Sequence, residues 1–105
     1  MKERRDTFQN TGIKQTVIDE IIHLAESYQV KKVILFGSRA RGDFREKSDI
    51  DLAVQGGDYQ RFSLAVDDET STLLKYDIVL LDGAVQEELR KVIGEEGLII
   101  YEEIR

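Results

Sequence analysis

Cysteine, proline and tryptophan are absent from this chain, and histidine and methionine occur once each. Without cysteine there is no disulfide framework and no thiolate metal site. No low-complexity tract or internal repeat interrupts the sequence. Long apolar runs are missing too: nothing approaches the roughly 20 residues of a membrane-spanning helix. The opening "MKERRDTFQN" lacks the apolar core of a secretory signal, so a cytoplasmic location without membrane contact is expected. Positive charge is the scarcer sign, with 15 Lys+Arg against 21 Asp+Glu and a net charge of −6. Phosphate contacts supply most nonspecific nucleic-acid affinity, so this balance argues against an extended nucleic-acid footprint. It leaves nucleotides open, through a local basic patch and metal ions.

The chain has 105 residues, 41% hydrophobic and 34% charged, the balance of one soluble globular domain. Met1–Asn10 is polar and is expected to be a flexible N-terminus, leaving a single domain over residues 11–105. Thr11 is placed as the cap of a helix ending near Tyr28, with Val17, Ile18, Ile21, Ile22, Leu24 and Ala25 at helical spacing. Val33–Phe36 reads as a strand buried on both faces. Ser38 to about Asp43 reads as a short helical turn, and Ile50–Val54 as a second strand ended by Gln55-Gly56-Gly57. Asp58 caps a predicted helix to about Lys75, with Phe62, Ala65, Val66, Leu73 and Leu74 inward. Ile78–Leu81 is a third strand, Ala84–Ile93 a helix, and Leu98–Tyr101 a last strand at the sheet edge. The result is an α/β (α+β) domain, a sheet of about four strands flanked by helices.

Chemistry concentrates between the first two strands. Side chains alternate along a strand, so Asp49, Asp51 and Ala53 share one face while Ile50, Leu52 and Val54 face the core. The two carboxylates then stand with Cα atoms roughly 6.6 Å apart. Such neighbours repel and raise each other's pKa unless a cation lies between them. An all-oxygen site with few protein ligands suits magnesium, which completes its shell with water and substrate phosphates. Gly37-Ser38 leaves the C-terminal end of the first strand, so it meets the aspartates only if the two strands run antiparallel. Ser38 would open the short helix, where free N–H groups and the helix dipole favour phosphate. Gly37 allows close backbone approach, and Arg39, Arg41 and Arg45 can offset triphosphate charge. A right-handed crossover would make the third strand parallel to the second and bring Asp77 to the same edge. Three carboxylates, a phosphate cradle and a basic loop are what two-metal phosphoryl or nucleotidyl transfer requires.

The string "GSRARGDFREKSDIDLAV" resembles the Gly-Ser-x10-Asp-x-Asp signature of the DNA polymerase β nucleotidyltransferase superfamily. Within it, the string is similar to the minimal nucleotidyltransferase subfamily, and the likeness spans essentially the whole chain. The resemblance implies that Gly37 and Ser38, with Arg39 and Arg41, bind the nucleotide. It implies that Asp49, Asp51 and Asp77 are the catalytic carboxylates and hold two Mg2+ ions. Asp77 matches the carboxylate that helps activate the acceptor hydroxyl. The reaction implied is AMP transfer from ATP to a hydroxyl, with release of pyrophosphate. Subfamily members are typically paired with a HEPN-domain toxin, and some act as antitoxins by adenylylating a tyrosine of that partner, so a hetero-oligomer is expected. Larger relatives add a domain that holds the acceptor, so acceptor choice here is expected to come from a partner, a dimer mate or the acceptor itself.

Each residue has a blander role. Gly-Ser alone is more often a turn or cap, and Asp77 alone a solvated strand start. Asp82, on the other strand face from Asp77, would cap the last helix. Asp43 would stabilise its own turn, and Arg39 or Arg41 could simply solvate a loop. His23 receives no catalytic role, and Asp67-Asp68-Glu69 reads as a solvated helix face. Tyr59, Phe62 and Tyr101 are assigned to packing. Two alternatives stay open: a non-catalytic module that neutralises its partner by contact, and nucleotidyl transfer to a small molecule or a tRNA.

Overall fold

A computed structural model describes residues 8–104. Four strands form one sheet: β1 (Lys32–Phe36), β2 (Ile50–Gln55), β3 (Tyr76–Leu80) and β4 (Leu98–Glu102). Their order is β3-β2-β1-β4, which puts β4 at an edge as expected. β1 is antiparallel to β2 and to β4, whereas β2 and β3 are parallel. The sheet is therefore mixed, and both strand relations required to assemble the motif residues hold. The helices are α1 (Gln15–Ser27), α2 (Ser38–Arg41), α3 (Tyr59–Glu69) and α4 (Glu87–Glu96).

Alternation along β2 sorts the two faces. Ile50, Leu52 and Val54 are fully buried with Val33 and Leu35 of β1 and with the apolar stripes of α1 and α3. Ala53 faces the opposite layer, with Ile34, Phe36 and Ile93 of α4. Asp51 lies on that second face by the same alternation.

Three element boundaries differ from the sequence reading. Thr11 does not cap α1. It is buried in a 3-10 turn, Gln9–Thr11, where its hydroxyl donates to Phe8 O at 2.8 Å and accepts from Ile13 N at 3.2 Å. Gly12, at φ +72°, redirects the chain, and α1 starts after Lys14. Phe8 is 2% exposed and belongs to the core, so the ordered domain begins before residue 11; the rest of the segment expected to be flexible lies outside the described residues.

Asp58 does cap α3, accepting from Arg61 N, but the helix stops at Glu69. The run Thr70-Ser71-Thr72 explains the stop, because hydroxyl side chains compete with the helix for backbone partners. Thr70 Oγ1 folds back to Val66 O at 2.6 Å and meets Tyr76 Oη at 2.8 Å. Ser71 gives both its N–H and its hydroxyl to Glu20 of α1, at 2.7 and 2.6 Å. Leu73, expected inside, is fully exposed, and Leu74 packs at the core margin. Asp82 likewise caps no helix: its carboxylate accepts from Gly56 N at 2.8 Å, and α4 begins later, after Gln86.

Candidate active site

Antiparallel pairing sets Phe36 opposite Asp51, so the chain leaving β1 passes directly over the second aspartate. Gly37 makes this possible. Its φ of +79° and ψ of −159° lie in a region open essentially to glycine alone. A Cβ at this position would also run into Asp51 Oδ2. Backbone and carboxylate are thus packed as closely as an absent side chain permits.

α2 follows at once, with Ala40 and Arg41 N–H both donating to Gly37 O at 3.1 Å. Ser38 O accepts from Gly42 and Asp43 N–H, which closes the turn. Parallel register then places Asp77 of β3 opposite Asp51, and residues opposite each other in register project to the same face. Asp49 lies two residues earlier and is exposed, as is Asp77, while Asp51 is half-buried. Asp51 feels all of this. Burial pushes its carboxyl pKa above the ordinary value, and the charges of Asp77 and Asp49 push it the same way, against the pull of Arg41 and Arg39.

The two arginines separate in role. Arg39, grouped in the sequence with the phosphate-facing residues, is turned inward and 2% exposed. Its Nε donates to Ser48 O at 3.1 Å, Nη1 to Thr11 O at 2.9 Å and Nη2 to Glu46 O at 3.1 Å. Its guanidinium also stacks 4.7 Å from the centroid of Phe44. All three nitrogens are engaged with the chain itself, so Arg39 knits the loop ahead of Asp49 to the N-terminal turn instead of reaching outward. Gly12 belongs to this clamp, since a Cβ there would strike the Phe44 ring and crowd Arg39. Sequence reasoning missed it, because its partners are backbone carbonyls 28, 7 and 9 residues away.

Arg41 stays at the surface. It bonds Asp43 at 3.2 Å and Glu96 of α4 at 3.5 Å, and the Asp43 hydrogen bond is the main reason its pKa is raised. Asp43 thus serves its own turn, as expected.

Among the described residues, no group of three carboxylate or imidazole side chains is gathered tightly enough to hold a metal ion by itself. The arrangement nevertheless fits magnesium. Asp51 and Asp77 oppose each other in register, Asp49 shares their face, and their mutual repulsion is what a divalent cation would relieve. The donors are all oxygens, and Asp49 and Asp77 are exposed to water, which suits the oxygen-rich, partly hydrated shell Mg2+ prefers.

The model of the family described as "Polymerase beta, Nucleotidyltransferase" matches residues 19–105. The chain belongs to this family. Among relatives, this nucleotidyltransferase is 37% identical over 100 residues to the Methanocaldococcus jannaschii protein MJ0604, proposed to be a protein adenylyltransferase; the match spans 84% of this chain and 98% of that one. A solved minimal nucleotidyltransferase superposes with a TM-score of 0.65 at 28% identity, covering 80% of this nucleotidyltransferase and 89% of its own chain. A toxin–antitoxin structure determined with AMP-PNP shares the fold, with a TM-score of 0.63 at 24% identity over 82% of this chain and 73% of that one. The enzyme's α+β sheet is thus the polymerase β-like nucleotidyltransferase fold. Among the described residues no helix is long and apolar enough to cross a membrane.

Proposed function

We propose that this enzyme is a Mg2+-dependent adenylyltransferase that moves AMP from ATP to a tyrosine hydroxyl of a HEPN-domain toxin, and so acts as its antitoxin. One observation carries the reading: Gly37, directly before Ser38, lies against Asp51 at the end of the sheet that also bears Asp49 and Asp77. The relative proposed as a protein adenylyltransferase and the toxin–antitoxin structure with an ATP analogue support it.

In this account Gly37 and Ser38 receive the outer phosphates, and Arg41 leaves Asp43 and Glu96 for the triphosphate. The exchange costs little, because ion pairs this exposed to water are only weakly held. Asp49 and Asp51 hold the metals, with Asp77 as the third ligand. When bound, Mg2+ supplies the positive charge that offsets the phosphates. The acceptor oxygen attacks the α-phosphorus and forms a P–O bond. The bond from that phosphorus to the bridging oxygen breaks, and pyrophosphate leaves with the electron pair. Asp77 takes the acceptor's hydroxyl proton.

The test is to incubate the chain with ATP, Mg2+ and the HEPN partner and record intact masses. The reading predicts an AMP adduct on the partner that disappears with Asp49→Asn/Asp51→Asn. Neutralisation that survives this double substitution, with the complex intact, would instead establish inhibition by contact.

A further inference from the structure

The early end of α3 leaves something the catalytic account does not use. Leu73 is fully exposed beside Leu74, directly before the strand that carries Asp77. A single exposed leucine needs no explanation, but this one borders a groove of about 440 Å³ lined by Lys47, Asp49, Leu73, Leu74 and Lys75. A candidate catalytic carboxylate therefore forms one wall of an apolar, lysine-flanked hollow. On the other flank of Leu73 a second hollow, about 380 Å³, continues over Ile13 and Lys14.

Two features make this a surface for binding rather than a frayed loop. The segment is pinned: Ser71 is held by Glu20 through two hydrogen bonds, and Leu74 N donates to Thr72 Oγ1 at 3.1 Å. Leu73 is thus displayed in a fixed place, which lowers the entropy cost of contact. The charge is also local and against the trend. In a chain of net charge −6, lysines flank the leucines, and among the described residues neither Lys47 nor Lys75 is engaged in an ion pair.

We propose that this groove docks the acceptor. Its occupant is a segment of a partner polypeptide with an apolar anchor and acidic neighbours beside the hydroxyl that receives AMP. The anchor covers Leu73 and Leu74, the acids meet Lys47 and Lys75, and the hydroxyl arrives at the Asp49 wall. This deepens the adenylyltransferase reading and rests on it for the chemistry, though not for the binding.

Two fluorescent octapeptides test it, each with a central Leu-Tyr, one flanked by glutamates and one by lysines. Anisotropy measures binding, and intact mass measures AMP transfer with Mg2+ and ATP. N-acetyl-tyrosinamide at high concentration serves as an unanchored acceptor. The expected result is that the acidic peptide binds at least about tenfold tighter than the basic one. Leu73→Asp and Lys75→Glu each lose about tenfold of that binding. Transfer to the tyrosinamide reports the chemistry without the anchor.

Equal binding of both peptides, or acidic-peptide binding that Leu73→Asp leaves unchanged, overturns the docking site. So does displacement of the peptide by Mg2+ and ATP together with an equal loss of nucleotide affinity in Leu73→Asp, which would make the groove a nucleotide subsite. A dimer in sedimentation that Leu73→Asp converts to monomer would assign the groove to a second copy instead. Selective binding without transfer to any acceptor keeps the docking site and removes the adenylyltransferase reading.

Discussion

Gly37 is the residue on which the geometry turns. Its φ of +79° strains any other side chain, at about 1–3 kcal/mol, and the space beside it belongs to Asp51. Gly37→Ala should therefore lower stability by that amount in urea titrations and abolish transfer. Asp51 presents the opposite balance. Folding raises its pKa, so the native state binds its proton more tightly than the unfolded chain does. That advantage is complete below the ordinary carboxylate range and is lost as pH rises through the raised value. Asp51→Asn should make the metal-free protein more stable than the parent near pH 7, with the gain vanishing toward about pH 3 in pH-resolved thermal melts. The same substitution should end transfer. If Asp51 holds Mg2+ as proposed, metal and proton compete for its carboxylate, so metal affinity in the parent should rise with pH across this range. Arg39 acts through other residues. Arg39→Lys cannot serve three carbonyls with one ammonium and should cost about 2–4 kcal/mol. Its kinetic mark should be a fall in kcat with KM for ATP nearly unchanged; a raised KM alone would mean a direct nucleotide contact.

At the scale of elements, α3 is where local chemistry decided the outcome. Hydrophobic spacing carried the predicted helix through Leu73 and Leu74, but three hydroxyl residues in a row ended it first. Ser71→Ala should weaken the tie to Glu20, cost about 0.5–1.5 kcal/mol and speed hydrogen exchange over residues 71–75. The strands were more legible, because the alternation of Asp49, Asp51 and Ala53 against Ile50, Leu52 and Val54 leaves one consistent register. What stayed hidden were contacts from side chains to distant backbone atoms, Arg39 to Thr11 O and Asp82 to Gly56 N. A side chain that bonds a backbone carbonyl or N–H leaves no complementary residue type to find.

Over the described residues the chain is a four-stranded sheet flanked by helices, with the candidate catalytic residues gathered at one end of the sheet, beside a lysine-flanked apolar groove. The central claim is that nucleotide and metal meet at that end of the sheet. It is tested most directly by NMR with Mn2+ and a non-hydrolysable ATP analogue, since the paramagnetic ion broadens only nearby amide signals. The account predicts loss of the Gly37, Ser38, Asp49, Asp51 and Asp77 signals first, and no such loss in Asp51→Asn. Broadening centred on Asp67–Glu69, or spread evenly over the acidic surface, would contradict it.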